Sequence, residues 1–186
     1  MKEFYPIEVA GLKRDLPVCP INEELSIGAF VIFGDVALTV ACAKELNKIA
    51  PPHDIMITAE SKGIPLIHEM ARQQGVNEYV VARKGKKLYM VDPFGIEVHS
   101  ITTANKQELF VGRKEMALMK DKRVLIVDDV ISTGESLRAV EKLVRASGGE
   151  VAGKMAILAE GDAHFRDDIL YLSYLPLLDG AGNPLR

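Results

Sequence analysis

The stretch that decides the fold is residues 124–136, which read VLIVDDVISTGES. Its first four residues are apolar, as in a central parallel strand that is buried on both faces. Two carboxylates follow, Asp128 and Asp129, and we expect a loop from there to Gly134. Apolar residues then recur at helical spacing over residues 135–147. The pattern predicts a strand–loop–helix unit whose loop lies at the carboxyl end of a sheet, where α/β proteins bind ligands.

The rest of the chain alternates in the same way. The pattern predicts helices at residues 35–47 and 64–74, and further strands at 54–58, 79–83, 151–158 and 169–172. Such alternation is typical of right-handed crossovers and a parallel sheet, so the predicted fold class is α/β, with a central parallel sheet flanked by helices. Residues 1–24 are rich in Pro, Gly and charge, and they predict an irregular lobe with short extended pieces. Residues 84–122 predict a long hairpin or flap that stands off the main sheet.

The composition limits the functional classes. A chain of 186 residues suits one α/β domain. Its net charge of −3 gives no overall attraction for nucleic acid, which is therefore not an expected partner. Cys19 and Cys42 have neither metal-site nor redox spacing and are expected to be reduced and buried. With no signal-like or membrane-spanning stretch in the sequence, we expect a soluble, cytoplasmic protein without a membrane partner.

The predicted loop has the chemistry of a site for a sugar phosphate. A helix N-terminus presents unpaired N–H groups and a positive dipole end, which together favour a phosphate group. Each of the two carboxylates can accept hydrogen bonds from a pair of hydroxyl groups. The hydroxyl donors and the small residue that allows close approach to the phosphate are Ser132, Thr133, Ser136 and Gly134. A phosphate beside a diol describes ribose 5-phosphate.

Residues 124–136 resemble the phosphoribosyl pyrophosphate (PRPP) signature of the type I phosphoribosyltransferases, in the purine branch. The resemblance implies one domain over residues 1–186, with a small hood at 1–34 and a flexible β flap at 88–106. It gives Asp128 and Asp129 the catalytic role of holding the ribose hydroxyls. It implies that the 5-phosphate of PRPP is bound by Ser132, Thr133, Gly134, Glu135 and Ser136. Many relatives have a small residue in place of Glu135, so its carboxylate must point away while its backbone N–H contributes.

Two further segments extend the resemblance to the adenine and xanthine enzymes. Residues 58–63, TAESKG, resemble their pyrophosphate loop, so Ser61, Lys62 and Gly63 would contact the pyrophosphate of PRPP. A strained cis peptide bond between residues 61 and 62 is one possible feature of such loops. The cluster RKGKK falls where these enzymes carry cations against the leaving group, a role that goes to Arg83, Lys84 and Lys87. The alternatives are a plain helix start and a solvated run of charge.

The resemblance also implies a cofactor, an acceptor and an assembly. Mg²⁺ is expected to be bound mainly by PRPP, with no metal site of the protein's own, and the chain is expected to form a homodimer. The acceptor is a purine base. No Lys lies at residues 159–163 to meet a 6-oxo group, whereas Glu160 could accept a hydrogen bond from an exocyclic amine, which favours adenine. Xanthine or hypoxanthine/guanine as the base, a pyrimidine or other amine acceptor, and a PRPP-binding regulator without turnover remain open. Residues 164–166 are expected near the base.

Overall fold

The structure is a computed structural model that describes residues 2–98 and 107–185. In chain order its strands are β1 Phe4–Val9, β2 Leu12–Pro20, β3 Leu25–Gly28, β4 Ile55–Ala59, β5 Val80–Ala82, β6 Phe94–Val98, β7 Gln107–Val111, β8 Arg123–Ile131, β9 Glu150–Glu160, β10 Leu170–Leu175 and β11 Leu178–Asp179. Its α-helices are α1 Val36–Ile49, α2 Gly63–Gln74, α3 Arg113–Met119 and α4 Glu135–Ala146. A short 3₁₀ helix, Gly161–Phe165, follows β9.

The central sheet has five strands in the order β10-β9-β8-β4-β5, and all of them are parallel. Because side chains alternate along a strand, β8 contributes to two cores. Val124 and Ile126 pack with α4 on one face of the sheet. Leu125 and Val127 pack with α1 and α2 on the other. The predicted α/β fold class, with a parallel sheet flanked by helices, is confirmed.

The first two helices begin and end at residues suited to those positions. Asp35 caps α1, and its Oδ1 accepts a hydrogen bond from the backbone N–H of Leu38 at 3.0 Å. Gly75 ends α2 in the left-handed conformation, with φ of 72°. That conformation is readily available to glycine, which has no Cβ.

The predicted loop at residues 128–134 begins later than expected. β8 continues through the two carboxylates to Ile131, and it pairs with β9 as far as Ala159. Asp is disfavoured in strands, so local preference alone ended the predicted strand at Val127. Pairing with the long strand β9 overrides that preference, and both carboxylates lie on a regular strand.

The extended pieces predicted for residues 1–24 are present, but the N-terminal lobe is a regular sheet and not irregular. β1, β2 and β3 form an antiparallel sheet with β11, in the order β1-β2-β3-β11. A two-residue turn joins β1 to β2, with φ of 51° at Ala10 and 75° at Gly11, as a tight hairpin requires. Several prolines in these strands concealed their alternation, since proline is normally a strand breaker.

The region of residues 84–122 was predicted in part. β6 and β7 form the expected antiparallel hairpin. Its base does not stand off the sheet, because Leu109 and Val111 are buried in the core on the α4 side. The following helix α3 was missed, since its seven residues are too few for a clear helical period. The rest of the predicted flap, residues 99–106 with His99, lies outside the described residues.

The two cysteines are free thiols in different surroundings. Cys42 is buried in α1, and burial raises the pKa of its thiol to about 12. Cys19 is half-buried, so the expectation that both are buried holds for one of them. In the described part of the chain, every helix is too short or too polar to cross a membrane.

Candidate active site

The two carboxylates of β8 lie under the loop between β4 and α2. Asp128 Oδ1 accepts hydrogen bonds from the backbone N–H of Asp129 at 2.9 Å and from Ser61 Oγ at 3.3 Å. Asp129 is only 4% exposed, and its Oδ2 lies 3.2 Å from Lys62 Nζ. That oxygen has no hydrogen-bond partner among the described residues. Its charge is balanced by the Lys62 ammonium, whereas Asp128 keeps partial access to solvent and can accept a hydroxyl donor from a ligand.

The ionised form of Asp128 is disfavoured by its surroundings. Burial is the main cause that raises its pKa, and the neighbouring Asp129 carboxylate raises it further. Asp128 keeps partial access to solvent, yet the protein packed around it replaces most of the water that would stabilise its charge. Hydroxyl donors of a ligand would relieve this penalty, because hydrogen bonds to a carboxylate favour the ionised form.

The predicted phosphate loop forms a small cavity at the start of α4. The cavity has a volume of about 120 Å³, and it is lined by Asp128, Val130, Ile131, Ser132, Thr133, Gly134, Glu135, Ser136 and Leu137. Ser132, Thr133 and Ser136 are at the surface of this cavity, so their hydroxyl groups can reach a ligand. Gly134 precedes the helix with φ of 76°. The first N–H groups of α4 therefore face a hollow of suitable chemistry for one phosphate.

The loop at residues 61–63 packs directly on the acid pair. A Cβ at Gly63 would lie 2.6 Å from Thr58 Oγ1 and 3.2 Å from Asp128 Oδ1, so only glycine allows this approach. Lys62 turns its side chain toward the N-terminal sheet, and its Nζ donates to the carbonyl of Phe30 at 2.5 Å. All peptide bonds of the described residues are trans, including the one between residues 61 and 62.

The basic cluster is held by a carboxylate that was not predicted as a site residue. β4 and β5 pair with Ala59 opposite Ala82, which brings Glu60 beside Arg83. Glu60 accepts a hydrogen bond from the backbone N–H of Lys84 at 2.8 Å. Its Oε1 also lies 2.9 Å from Arg83 Nη2 and 3.6 Å from Lys87 Nζ. The bond from Lys84, followed by these two charges, lowers the pKa of Glu60 against an opposing effect of burial.

Glu60 could have been found from the sequence by one observation. The strands before it and before the basic cluster are both predicted, and the carboxyl ends of adjacent parallel strands meet at one edge of the sheet. The sequence does not show, however, that these two strands are neighbours with Val80 opposite Ile57, because that register joins separate parts of the chain. Lys86 is exposed, and its Nζ lies 5.5 Å from the centroid of the Phe110 ring.

Glu160 is brought to the same edge by strand register. Ile131 of β8 lies opposite Ala159 of β9, so Ser132 and Glu160 follow side by side and are hydrogen-bonded. Burial raises the pKa of Glu160, while the bond from Ser132 and the charge of Lys62 oppose that shift. Glu160 therefore joins the phosphate loop to the group around Lys62.

Residues 164–166 have divergent positions. Phe165 is 77% exposed, and its ring centroid lies 3.7 Å from that of His164. Arg166 lies instead against Gly134 of the phosphate loop. Within the described residues, no group of three or more His, Cys, Asp or Glu side chains could hold a metal ion.

The sites predicted separately therefore share one edge of the sheet. The acid pair, the phosphate loop, the loop at residues 61–63 and Glu160 are connected by direct contacts or charge interactions. Glu60 adds the basic cluster. Hydroxyl acceptors, N–H donors and cations are thus arranged side by side, as the recognition of a ribose with two phosphorylated positions requires.

The domain model and the known proteins that resemble this chain all point to one family. Residues 38–181 match the model of the phosphoribosyl transferase domain. The hypoxanthine/guanine phosphoribosyltransferase of Methanotorris igneus is 34% identical over 143 residues, which are 77% of this chain and 72% of that protein. The protein of the same name from Methanococcus voltae is 32% identical over 143 residues, 77% of this chain and 70% of that protein.

Solved structures share the fold. An adenine phosphoribosyltransferase from Thermoanaerobacter pseudethanolicus superposes with a TM-score of 0.65 and 24% identity, over 77% of this chain and 84% of that chain. The adenine enzyme of Giardia lamblia, complexed with 9-deazaadenine, gives a TM-score of 0.65 and 20% identity, over 77% and 82% of the two chains. Together with the matched domain model, these likenesses show that the chain belongs to the phosphoribosyltransferase family.

Proposed function

We propose that the protein transfers the 5-phosphoribosyl group of PRPP to a ring nitrogen of a purine base, releasing pyrophosphate and forming a nucleoside monophosphate. The observation that carries this proposal is the contact of the acid pair with the loop at residues 61–63, beside the phosphate loop. A simple sugar phosphate would need only the acid pair and the phosphate loop. The second loop and the cations of the basic cluster add a place for pyrophosphate.

Each part of the site then has a role in the transfer. The 5-phosphate binds residues 132–136, and the ribose hydroxyls donate to Asp128 and Asp129. The pyrophosphate lies toward Ser61, the backbone of residues 62–63 and the basic cluster. As the bond from C1 to pyrophosphate breaks, positive charge grows on the ribose near the acid pair, and negative charge grows near the cations. Groups already oriented toward these charges lower the barrier.

Mg²⁺ fits this site as a companion of PRPP. The described residues lack a three-ligand protein cluster, but Asp128 and Asp129 supply the carboxylate oxygens that Mg²⁺ prefers. When bound, Mg²⁺ would neutralise part of the charge on the leaving pyrophosphate. The protein's own residues bind and orient the ribose and the phosphates.

For the base, we propose a 6-oxopurine rather than the adenine that the sequence favours. Lys62 Nζ lies close to the Phe30 carbonyl and Asp129, and its charge acts on Glu160. A cation from outside residues 159–163 therefore belongs to the same group as Glu160. A donor beside an acceptor matches the 6-oxo group and the adjacent N1–H of hypoxanthine and guanine. The names of the relatives from Methanotorris igneus and Methanococcus voltae support this choice. Adenine is the second candidate, since Glu160 can accept from its amine.

The test is pyrophosphate release from Mg·PRPP with adenine, hypoxanthine, guanine, xanthine, uracil or orotate. The proposal expects release with hypoxanthine or guanine at a kcat/KM at least about tenfold above that with adenine. The reverse order would establish adenine as the base. PRPP binding without release from any base would refute the transferase and indicate a PRPP-binding regulator.

We also propose that the protein is a cytoplasmic homodimer. Exposed apolar side chains within residues 31–40 support self-association: Val31, Phe33, Val36 and Val40 have exposures of 54%, 57%, 73% and 38%. Apolar side chains that gather on a surface often mark an interface. Light scattering should give twice the 20.4 kDa mass of the chain. A monomer at micromolar concentration would contradict the proposed dimer.

A further inference from the structure

The guanidinium of Arg166 is fixed at the edge of the phosphate loop. Its Nε and Nη2 donate to the two carboxylate oxygens of Asp168, each at 2.8 Å. Its third nitrogen, Nη1, lies against Gly134, where a Cβ would overlap it. Nη1 makes no hydrogen bond to any residue that the structure describes. Nη1, the nitrogen that makes no such bond, therefore lies beside Gly134, a residue that lines the phosphate cavity.

A chain of charges holds Arg166 in place. Asp168 also accepts from Lys154 Nζ at 2.5 Å, and Lys154 lies 2.8 Å from Glu141. Glu141 belongs to α4 and Lys154 to β9, so the chain of ion pairs ties Arg166 to both elements. The bonds from Arg166 and Lys154 lower the pKa of Asp168. A bidentate pair of this type fixes the plane of the guanidinium as well as its position.

The phosphate loop needs such a cation. Residues 128–137 contain three carboxylates and neither Lys nor Arg. The N-terminus of α4 provides only about half of an elementary charge, whereas a phosphate monoester carries about −1.5 to −2 at neutral pH. Lys62 already pairs with Asp129, so a second cation beside the loop would offset the charge of a bound phosphate dianion.

We propose that Arg166 is a phosphate-binding residue, with Nη1 donating to the 5-phosphate and Asp168 acting as its positioning residue. This inference rests on the proposed function, since it takes the phosphate in the loop as the 5-phosphate of PRPP. It also gives a second reason for glycine at position 134, besides its left-handed backbone, because any side chain there would displace the guanidinium of Arg166.

The test compares two ligands that occupy different parts of the site. Titration calorimetry measures ribose 5-phosphate, which needs the phosphate loop, and Mg·pyrophosphate, which needs the basic cluster. Arg166→Gln should weaken ribose 5-phosphate about tenfold or more, the range for a charge-assisted hydrogen bond, and leave pyrophosphate affinity unchanged. Asp168→Asn should give a smaller loss for ribose 5-phosphate, because the charge stays but its position is no longer fixed.

Two controls separate a local effect from a general one. Arg145→Gln removes an exposed arginine from the last turn of α4 and should change neither affinity. Arg166→Lys keeps the charge and should bind ribose 5-phosphate more tightly than Arg166→Gln. Wild-type affinity of Arg166→Gln for ribose 5-phosphate, or an equal loss for both ligands, would overturn the inference. Failure of base-dependent turnover would leave these binding measurements intact, so the two proposals fail separately.

Discussion

Replacing Asp128 by Asn should stabilise the protein at alkaline pH while impairing its site. Asn keeps the shape of Asp and its oxygen can still accept from the Asp129 N–H, but it cannot ionise. The folded state raises the pKa of Asp128, so the stability linked to its protonated form is fully present below the unfolded pKa of about 4 and is lost as the pH rises through the folded pKa. The neutral amide of the variant escapes that loss.

The magnitude follows from the cost of a poorly satisfied buried polar group. That cost is about 1–3 kcal/mol, and for a chain of this length each kcal/mol shifts the Tm by roughly 2–4 °C. Calorimetric unfolding of Asp128→Asn without ligand should therefore show a Tm several degrees above wild type at about pH 9, shrinking to no difference near about pH 4.

The control is Asp54→Asn, which should have the opposite sign. Asp54 accepts hydrogen bonds from the Arg123 guanidinium and backbone N–H, and these lower its pKa. Its stabilisation is present above the unfolded pKa and is lost as the pH falls through the folded pKa. The variant should be less stable than wild type at neutral pH. If Asp128→Asn is also less stable at alkaline pH, the electrostatic account of the acid pair is refuted.

Two further substitutions test the neighbouring loops. Glu60→Gln removes a negative charge from the basic cluster and should strengthen product inhibition by pyrophosphate several-fold. The control is Glu78→Gln, which removes a carboxylate 3.8 Å from Lys114 and should leave that inhibition unchanged. Unchanged inhibition of the Glu60→Gln variant by pyrophosphate would contradict this role of Glu60. Gly134→Ala should lower the Tm by more than Gly75→Ala, because both need a left-handed backbone that costs about 1–2 kcal/mol but only the first crowds Arg166. Equal Tm shifts for the two alanine variants would count against the packing of Arg166 on the loop.

The central unit could be predicted from sequence because its signals are local. The apolar run of β8, the helical period of α4 and Gly134 between them all lie within one short segment, residues 123–146. At Asp128 local preference gave a wrong strand end, because Asp is disfavoured in strands but pairing with β9 extends β8 past it. The N-terminal sheet was missed for a related reason, since its closing strand β11 comes from the far end of the chain.

The site was predicted as separate loops, and their connections were not. Glu60 reaches the basic cluster, and Glu160 reaches Ser132, through strand registers that no local pattern specifies. Arg166 is far from Gly134 along the chain, in a segment without a motif, and its position depends on the ion pairs of Asp168. Contacts between distant residues decide these roles, so only the three-dimensional arrangement reveals them.

The most direct test of the central claim is PRPP binding by the double variant Asp128→Asn/Asp129→Asn. If the acid pair holds the ribose hydroxyls, the Kd for Mg·PRPP measured by calorimetry should rise by about an order of magnitude or more, since amides replace both carboxyl acceptors. The Kd for pyrophosphate, which lacks the ribose, should stay within about twofold of wild type, well inside the tenfold step that about 1.4 kcal/mol represents. An unchanged Kd for PRPP in the folded variant would contradict the assignment of the acid pair to the ribose.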